Sequence, residues 1–129
     1  MDSKLAPVQP DESIPLICGF LDRIGIAYTF RDAGDDAFLP GLRIDQGQVI
    51  IDRDTLKYPG DILHEAGHLA LVAQEERSSL SQELIPTRPS AQGEEIGAQL
   101  WSYLAAKEIG LRNPSFDLFP NWKSENASF

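Results

Sequence analysis

The thirteen residues Asp61-Ile62-Leu63-His64-Glu65-Ala66-Gly67-His68-Leu69-Ala70-Leu71-Val72-Ala73 constrain this chain more than any others. Read as a helix, they are apolar nearly all the way round, and such a helix has to be buried. Yet the same stretch carries both histidines of the 129-residue chain, with Glu65 beside His64. Burying a carboxylate without compensation is costly. The fold must therefore wrap this helix on several sides and also supply something that satisfies its polar groups.

The spacing says what that something is. Residues four apart lie one above the other on a helix face, so the rings of His64 and His68 can converge on one ion. Glu65 stands one step round, able to reach a metal-bound water without ligating the metal. That is the logic of His-Glu-x-x-His on a helix. A metal centre of this kind takes three protein ligands and keeps one position open. No histidine remains for the third place, and the single cysteine, Cys18, lies among Ile14, Leu16, Ile17 and Phe20 as a small core residue. A carboxylate is then expected, from Glu94 or Glu95, with Glu95 preferred because it heads a face of small residues with Ala98, Gln99, Ser102 and Ala106. Small residues let two helices approach closely, and Gln99 is placed to hydrogen-bond a ligand histidine. Zinc is the expected metal, and calcium is not, because no acidic loop has the required spacing.

The rest of the chain reads as a single α+β domain around that helix. Residues 1–12 read as a loose arm. A helix follows from Ser13, its cap, to about Gly25, with Pro15 in the first turn and Ile14, Ile17, Phe20, Leu21 and Ile24 at helical spacing. Residues 26–30 read as a strand, 32–36 as a turn-rich loop, and 41–45 with 49–52 as a hairpin. After Pro59-Gly60, Asp61 can cap the histidine helix, which is expected to run to about Arg77. Residues 78–93 read as a long loop and 91–109 as a second long helix stopped by Gly110. The closing stretch with Pro114, Phe116, Phe119, Pro120 and Trp122 reads as a non-helical tail, loose from about residue 123.

In this order of elements and this motif the chain resembles the zincin metallopeptidases of the gluzincin type. It is most similar to the compact ImmA/IrrE-type metallopeptidases. Val49-Ile50-Ile51-Asp52 stands where they carry a strand before the active helix. Glu95-Ile96-Gly97-Ala98-Gln99-Leu100-Trp101 follows their Glu-x-x-Ala-Asn-x-Phe helix, with Gln for Asn and Trp for Phe. The resemblance covers roughly residues 14–109. Gln74, six residues after His68, stands where two other zincin classes carry His or Asp, which sets those classes aside. The resemblance implies an N-terminal helix, a small, mostly antiparallel sheet, the motif helix and a second helix that donates a glutamate. It implies zinc on His64, His68 and Glu95, with Glu65 as general base, and hydrolysis of a peptide or protein substrate. The substrate is expected along an edge strand of the hairpin around Ile44 and Ile50. Tyr58, Tyr103 and Arg88 are candidate oxyanion donors. A metal-held interaction domain with little catalysis is the alternative, and hydrolysis of a non-peptide amide a third reading.

Charge and patterning exclude other partners. The formal net charge is −9, which argues against a nucleic-acid backbone. No apolar run is long enough to span a membrane, and no secretory signal is legible, so a cytoplasmic location is expected.

Overall fold

The structure, a computed structural model, describes residues 10–111. The expected behaviour of residues 1–9 and of the tail from residue 112 lies outside the described residues.

The first helix, α1, spans Pro10–Ile24. It begins three residues before the expected cap. Proline is at home in a first helical turn, where its fixed φ suits the helix and its missing donor does no harm. Ser13 is therefore a buried position inside the helix rather than its cap, and Pro15 lies beyond the first turn. Ile17, Cys18 and Leu21 face the core, whereas Ile24, at the helix end, is 40% exposed.

Three short strands follow: β1 (Ala27–Phe30), β2 (Leu42–Asp45) and β3 (Gln48–Ile51). Their order is β1-β3-β2, with β1 parallel to β3 and β2 antiparallel to it. The sheet is thus mixed, not mostly antiparallel. The physical reason is that β3 is the central strand: Val49, Ile50 and Ile51 are all fully buried. A continuous apolar run of this kind marks a strand covered on both faces. Ile50 therefore does not lie on an edge, and β2 alone is the edge strand of the hairpin. The turn is Gln46-Gly47, with φ of 49° and 81°. Two successive positive φ values are the pattern that lets a two-residue loop follow the twist of its strands.

Helix α2 (Asp61–Ala70) comes next, with Gly60 in the cap position and no side-chain cap bond. Nine of its ten residues are buried, because it touches β2, β3, α1 and the last helix. It stops well short of Arg77. The Leu71 N–H bonds the Gly67 carbonyl and the Val72 N–H bonds that of Leu69. Arg77 then folds back, its Nε donating to the Leu69 carbonyl at 2.8 Å. Such a donor satisfies a carbonyl that the helix end leaves open. Residues 71–90 form the connection to the last helix and include two 3₁₀ segments, Gln74–Ser79 and Ile85–Thr87. Helix α3 (Ala91–Glu108) ends where Gly110 takes a φ of 82° and the Leu111 N–H reaches back to the Ala106 carbonyl. Among the described residues no helix is long and apolar enough to cross a membrane.

Candidate metal centre

The contact between α2 and α3 builds the site. Gly67 sits in that contact, and a Cβ added there would stand 2.9 Å from the Ala98 carbonyl oxygen and 3.1 Å from the Ala98 Cα. The two backbones touch because glycine meets alanine. Ala98, Ser102 and Ala106 continue the same buried face of α3, and Glu95 lies on it one turn before Ala98.

This approach carries the Glu95 carboxylate to both histidines. Its Oε1 lies 2.9 Å from His68 Nε2 and its Oε2 lies 3.0 Å from His64 Nε2. The two imidazoles are near-parallel, with centroids 5.5 Å apart, as expected for residues four apart on one helix face. One donor atom from each of His64, His68 and Glu95 falls within 4.8 Å of the others, so the three could hold a metal ion. The histidines are 3% and 7% exposed, but the Glu95 side chain is 34% exposed, so the group opens to solvent on the α3 side.

The two imidazoles differ in how they meet the carboxylate. His68 Nε2 and Glu95 Oε1 are hydrogen-bonded. His64 Nε2 is not, despite its 3.0 Å approach to Glu95, and it is a buried polar atom with no hydrogen-bond partner among the described residues. A buried ring nitrogen left without a bond costs free energy. Two imidazole nitrogens and a carboxylate oxygen aimed at a common point form a donor set suited to zinc and other first-row divalent ions.

Glu94 and Gln99 fall into distinct places. Glu94 turns to Arg88, whose Nε donates to its Oε1 at 2.8 Å, and to the Ser90 hydroxyl at 3.1 Å, away from the histidines. The Arg88 guanidinium holds the Glu94 carboxyl below its ordinary pKa. Gln99 does not reach a histidine as expected from the sequence. Its Nε2 donates to Glu95 Oε2 at 3.0 Å and so fixes the carboxylate one turn before it. The glutamine is at the right helical spacing for either contact, and only the rotation of α3 decides between them.

The charged groups of the cluster shift one another. The close approach of His64, the hydrogen bond of His68 and the charge of both imidazoles hold the Glu95 carboxyl far below its usual range. Burial opposes the charged form of His64, but the Glu95 carboxylate, with the charges of Glu65 and Asp61, outweighs it and raises the imidazole pKa. Burial raises the carboxyl pKa of Glu65, against the pull of the two histidines. A divalent ion bound here would need the imidazoles neutral, so its binding would compete with protons.

The remaining candidates are placed as follows. Arg88 is engaged by Glu94 and, at 3.6 Å, by Glu76. Tyr103 and Tyr58 have Lys107 and Lys57 against their rings. Tyr28 packs edge-on to Phe30 in β1 and donates to Asp22. Trp101 packs on the core beside Phe20, and Cys18 is buried there. Sequence reasoning did not single out Gly67, although a glycine next to His68 in a buried helix is a signal that another backbone comes close.

No family model matches the chain, and no curated protein or solved structure matches it.

Proposed function

We propose that the protein is a zinc-dependent hydrolase of the zincin type that cleaves peptide bonds. The observation that carries this reading is that His64, His68 and Glu95 each bring one ligand atom within 4.8 Å of the others, with both imidazoles buried. Three further features support it. Glu65 is retained between the histidines in the His-Glu-x-x-His frame. The third ligand comes from a separate, later helix. The sheet packed on α2 ends in a single antiparallel edge strand.

His64, His68 and Glu95 would hold the ion. When bound, it lowers the pKa of its water to about 7 and polarises a carbonyl oxygen. Glu65 is the base that takes a proton on its carboxylate and passes it to the leaving nitrogen. Its burial suits that role, because a carboxylate whose pKa is lifted from its ordinary value is a stronger base and takes up a proton more readily. Gln99 keeps Glu95 in place.

The test pairs metal content with cleavage of fluorescein-labelled casein. Zinc-loaded wild type is expected to cleave it. Glu65→Gln is expected to keep its zinc and lose at least about a hundredfold in rate, the usual scale for a general base. A Glu65→Gln protein as active as the wild type overturns the assignment of the base. Zinc-loaded wild type that leaves casein uncut, in an assay sensitive to slow hydrolysis, overturns the peptidase reading.

A further inference from the structure

The connection between α2 and α3 leaves the histidine helix one turn after His68 and returns just before Glu95. In between it crosses the outer edge of β2. The contacts there are backbone pairings rather than loose packing. The Gln82 N–H donates to the Ile44 carbonyl at 2.8 Å, and the Gly47 N–H to the Leu80 carbonyl at 2.9 Å. The Gln46 N–H donates to the Ser81 hydroxyl at 3.1 Å. The Gln82 side chain accepts from the Phe38 N–H and donates to the Asp36 carbonyl, and Glu83 pairs with Arg43 of β2 itself. Leu80, 3% exposed, is the apolar anchor. A Cβ at Gly47 would run into the Arg77 carbonyl, so the hairpin turn and the connection are fitted to each other.

An open sheet edge is where an extended peptide adds as a strand, through the same main-chain donors and acceptors. Resting on the peptidase reading above, we infer that Leu80–Glu83 is a built-in occupant of the β2 edge, an autoinhibitory strap that a peptide substrate must displace. The Ile44 carbonyl cannot serve the strap and a substrate strand at once. Both ends of the connection are tied to the helices that carry the candidate ligands, one through Arg77 on the Leu69 carbonyl of α2 and the other through Arg88 on Glu94 of α3. Displacing its middle therefore opens the edge without taking apart the ligand set. The strap acts on substrate access, and the metal stays where it is.

The Gln82 position gives a clean test. It is the second residue of a turn closed by the Leu84 N–H on the Ser81 carbonyl, a position that favours proline. Gln82→Pro deletes the donor to Ile44, and Gln82→Ala deletes the two side-chain bonds. Each is expected to raise kcat/KM on fluorescein-labelled casein about five- to tenfold, the scale of one or two net hydrogen bonds in the open–closed balance. Zinc stoichiometry should be that of the wild type in both. Gln82→Ala keeps the test open if the proline variant folds poorly. Wild type that cleaves casein, with both variants no faster, overturns the strap and leaves the peptidase reading standing. Wild type and both variants inactive with zinc bound overturns the peptidase reading, and the strap falls with it.

Discussion

Gly67 and Ala98 bring the two halves of the His64, His68 and Glu95 group together: the missing Cβ of one leaves room for the backbone of the other. Gly67→Ala puts a methyl group against a carbonyl oxygen and a Cα, neither of which is the tip of a flexible side chain. The helices must separate by several tenths of an ångström, and Glu95 moves with α3. The gain in helix propensity, about 1 kcal/mol, opposes an overpacking cost of about 1–3 kcal/mol. Thermal unfolding of the metal-free protein is therefore expected to shift little or downward. Zinc affinity, read by chelator competition, should fall by at least about tenfold, as for a disturbed supporting group. Unchanged affinity would show that the close contact does not set the ligand geometry.

Gln99 and Glu94 make a matched pair of controls on α3. Gln99 donates to Glu95 Oε2, and Glu94 faces Arg88 and Ser90. Gln99→Ala is expected to lower zinc affinity by about 10- to 100-fold, the usual effect of removing a group that orients a ligand. Glu94→Ala is expected to leave it within about twofold, since Glu94 is engaged by Arg88 and Ser90 rather than by a histidine. Isothermal titration of the two variants decides the matter, and the reverse ranking would move the third ligand to Glu94.

The pH dependence of metal binding follows from the shifts in the cluster. In the metal-free fold, the pKa of His64 is raised and that of Glu95 is depressed. The His64 contribution to stability is complete below the unfolded imidazole pKa and is lost as pH rises through the raised folded value. The Glu95 contribution is present above the unfolded carboxyl pKa and is lost as pH falls through the depressed one. Glu65, whose pKa burial raises, loses its contribution with rising pH as His64 does. The metal-free pairing is thus best satisfied between the ordinary carboxyl and imidazole values, 4.5 and 6.5. Metal binding needs the imidazoles neutral and releases the protons held there. The increase in Tm on adding zinc is therefore expected to grow from pH 6 to pH 8. Differential scanning fluorimetry across that range checks it, and a zinc-induced shift that shrinks with rising pH contradicts it.

Gly47 is the position where the hairpin meets the strap. Its φ of 81° is in the left-handed region, and a side chain there would also strike the Arg77 carbonyl. Gly47→Ala is expected to destabilise the fold by at least about 1–2 kcal/mol, the cost of a left-handed non-glycine residue alone. Urea unfolding measures this, and a change below about 0.5 kcal/mol would mean the turn and strap are not rigidly fitted.

Much of the site was legible because helical spacing is local. His64 and His68 announce a shared helix face with Glu65 one step round, and a chain with no other histidine and one buried cysteine has to look to a carboxylate. The sequence narrowed that carboxylate to two neighbours, and the structure separates them through Arg88, which is six residues from Glu94 and draws it away. What was missed depends on contacts far apart in sequence. The end of α2 is set by Arg77 returning to Leu69, not by a glycine or proline that could be seen in advance. The parallel pairing of β1 with β3 depends on a connection that lays β2 on the far side of β3. The continuous run Val49-Ile50-Ile51 carried that information, but alternation in the flanking residues suggested a plain hairpin edge. The start of α1 was legible in Pro10-Asp11-Glu12 and was hidden by the polar composition around it.

The most direct measurement is the metal content of untagged protein, by inductively coupled plasma mass spectrometry, for wild type, His64→Ala, Glu94→Ala and Glu95→Ala. One zinc per chain is predicted in the wild type and in Glu94→Ala, with loss in His64→Ala and Glu95→Ala. No metal above background in the wild type after dialysis against zinc would contradict the metal centre itself.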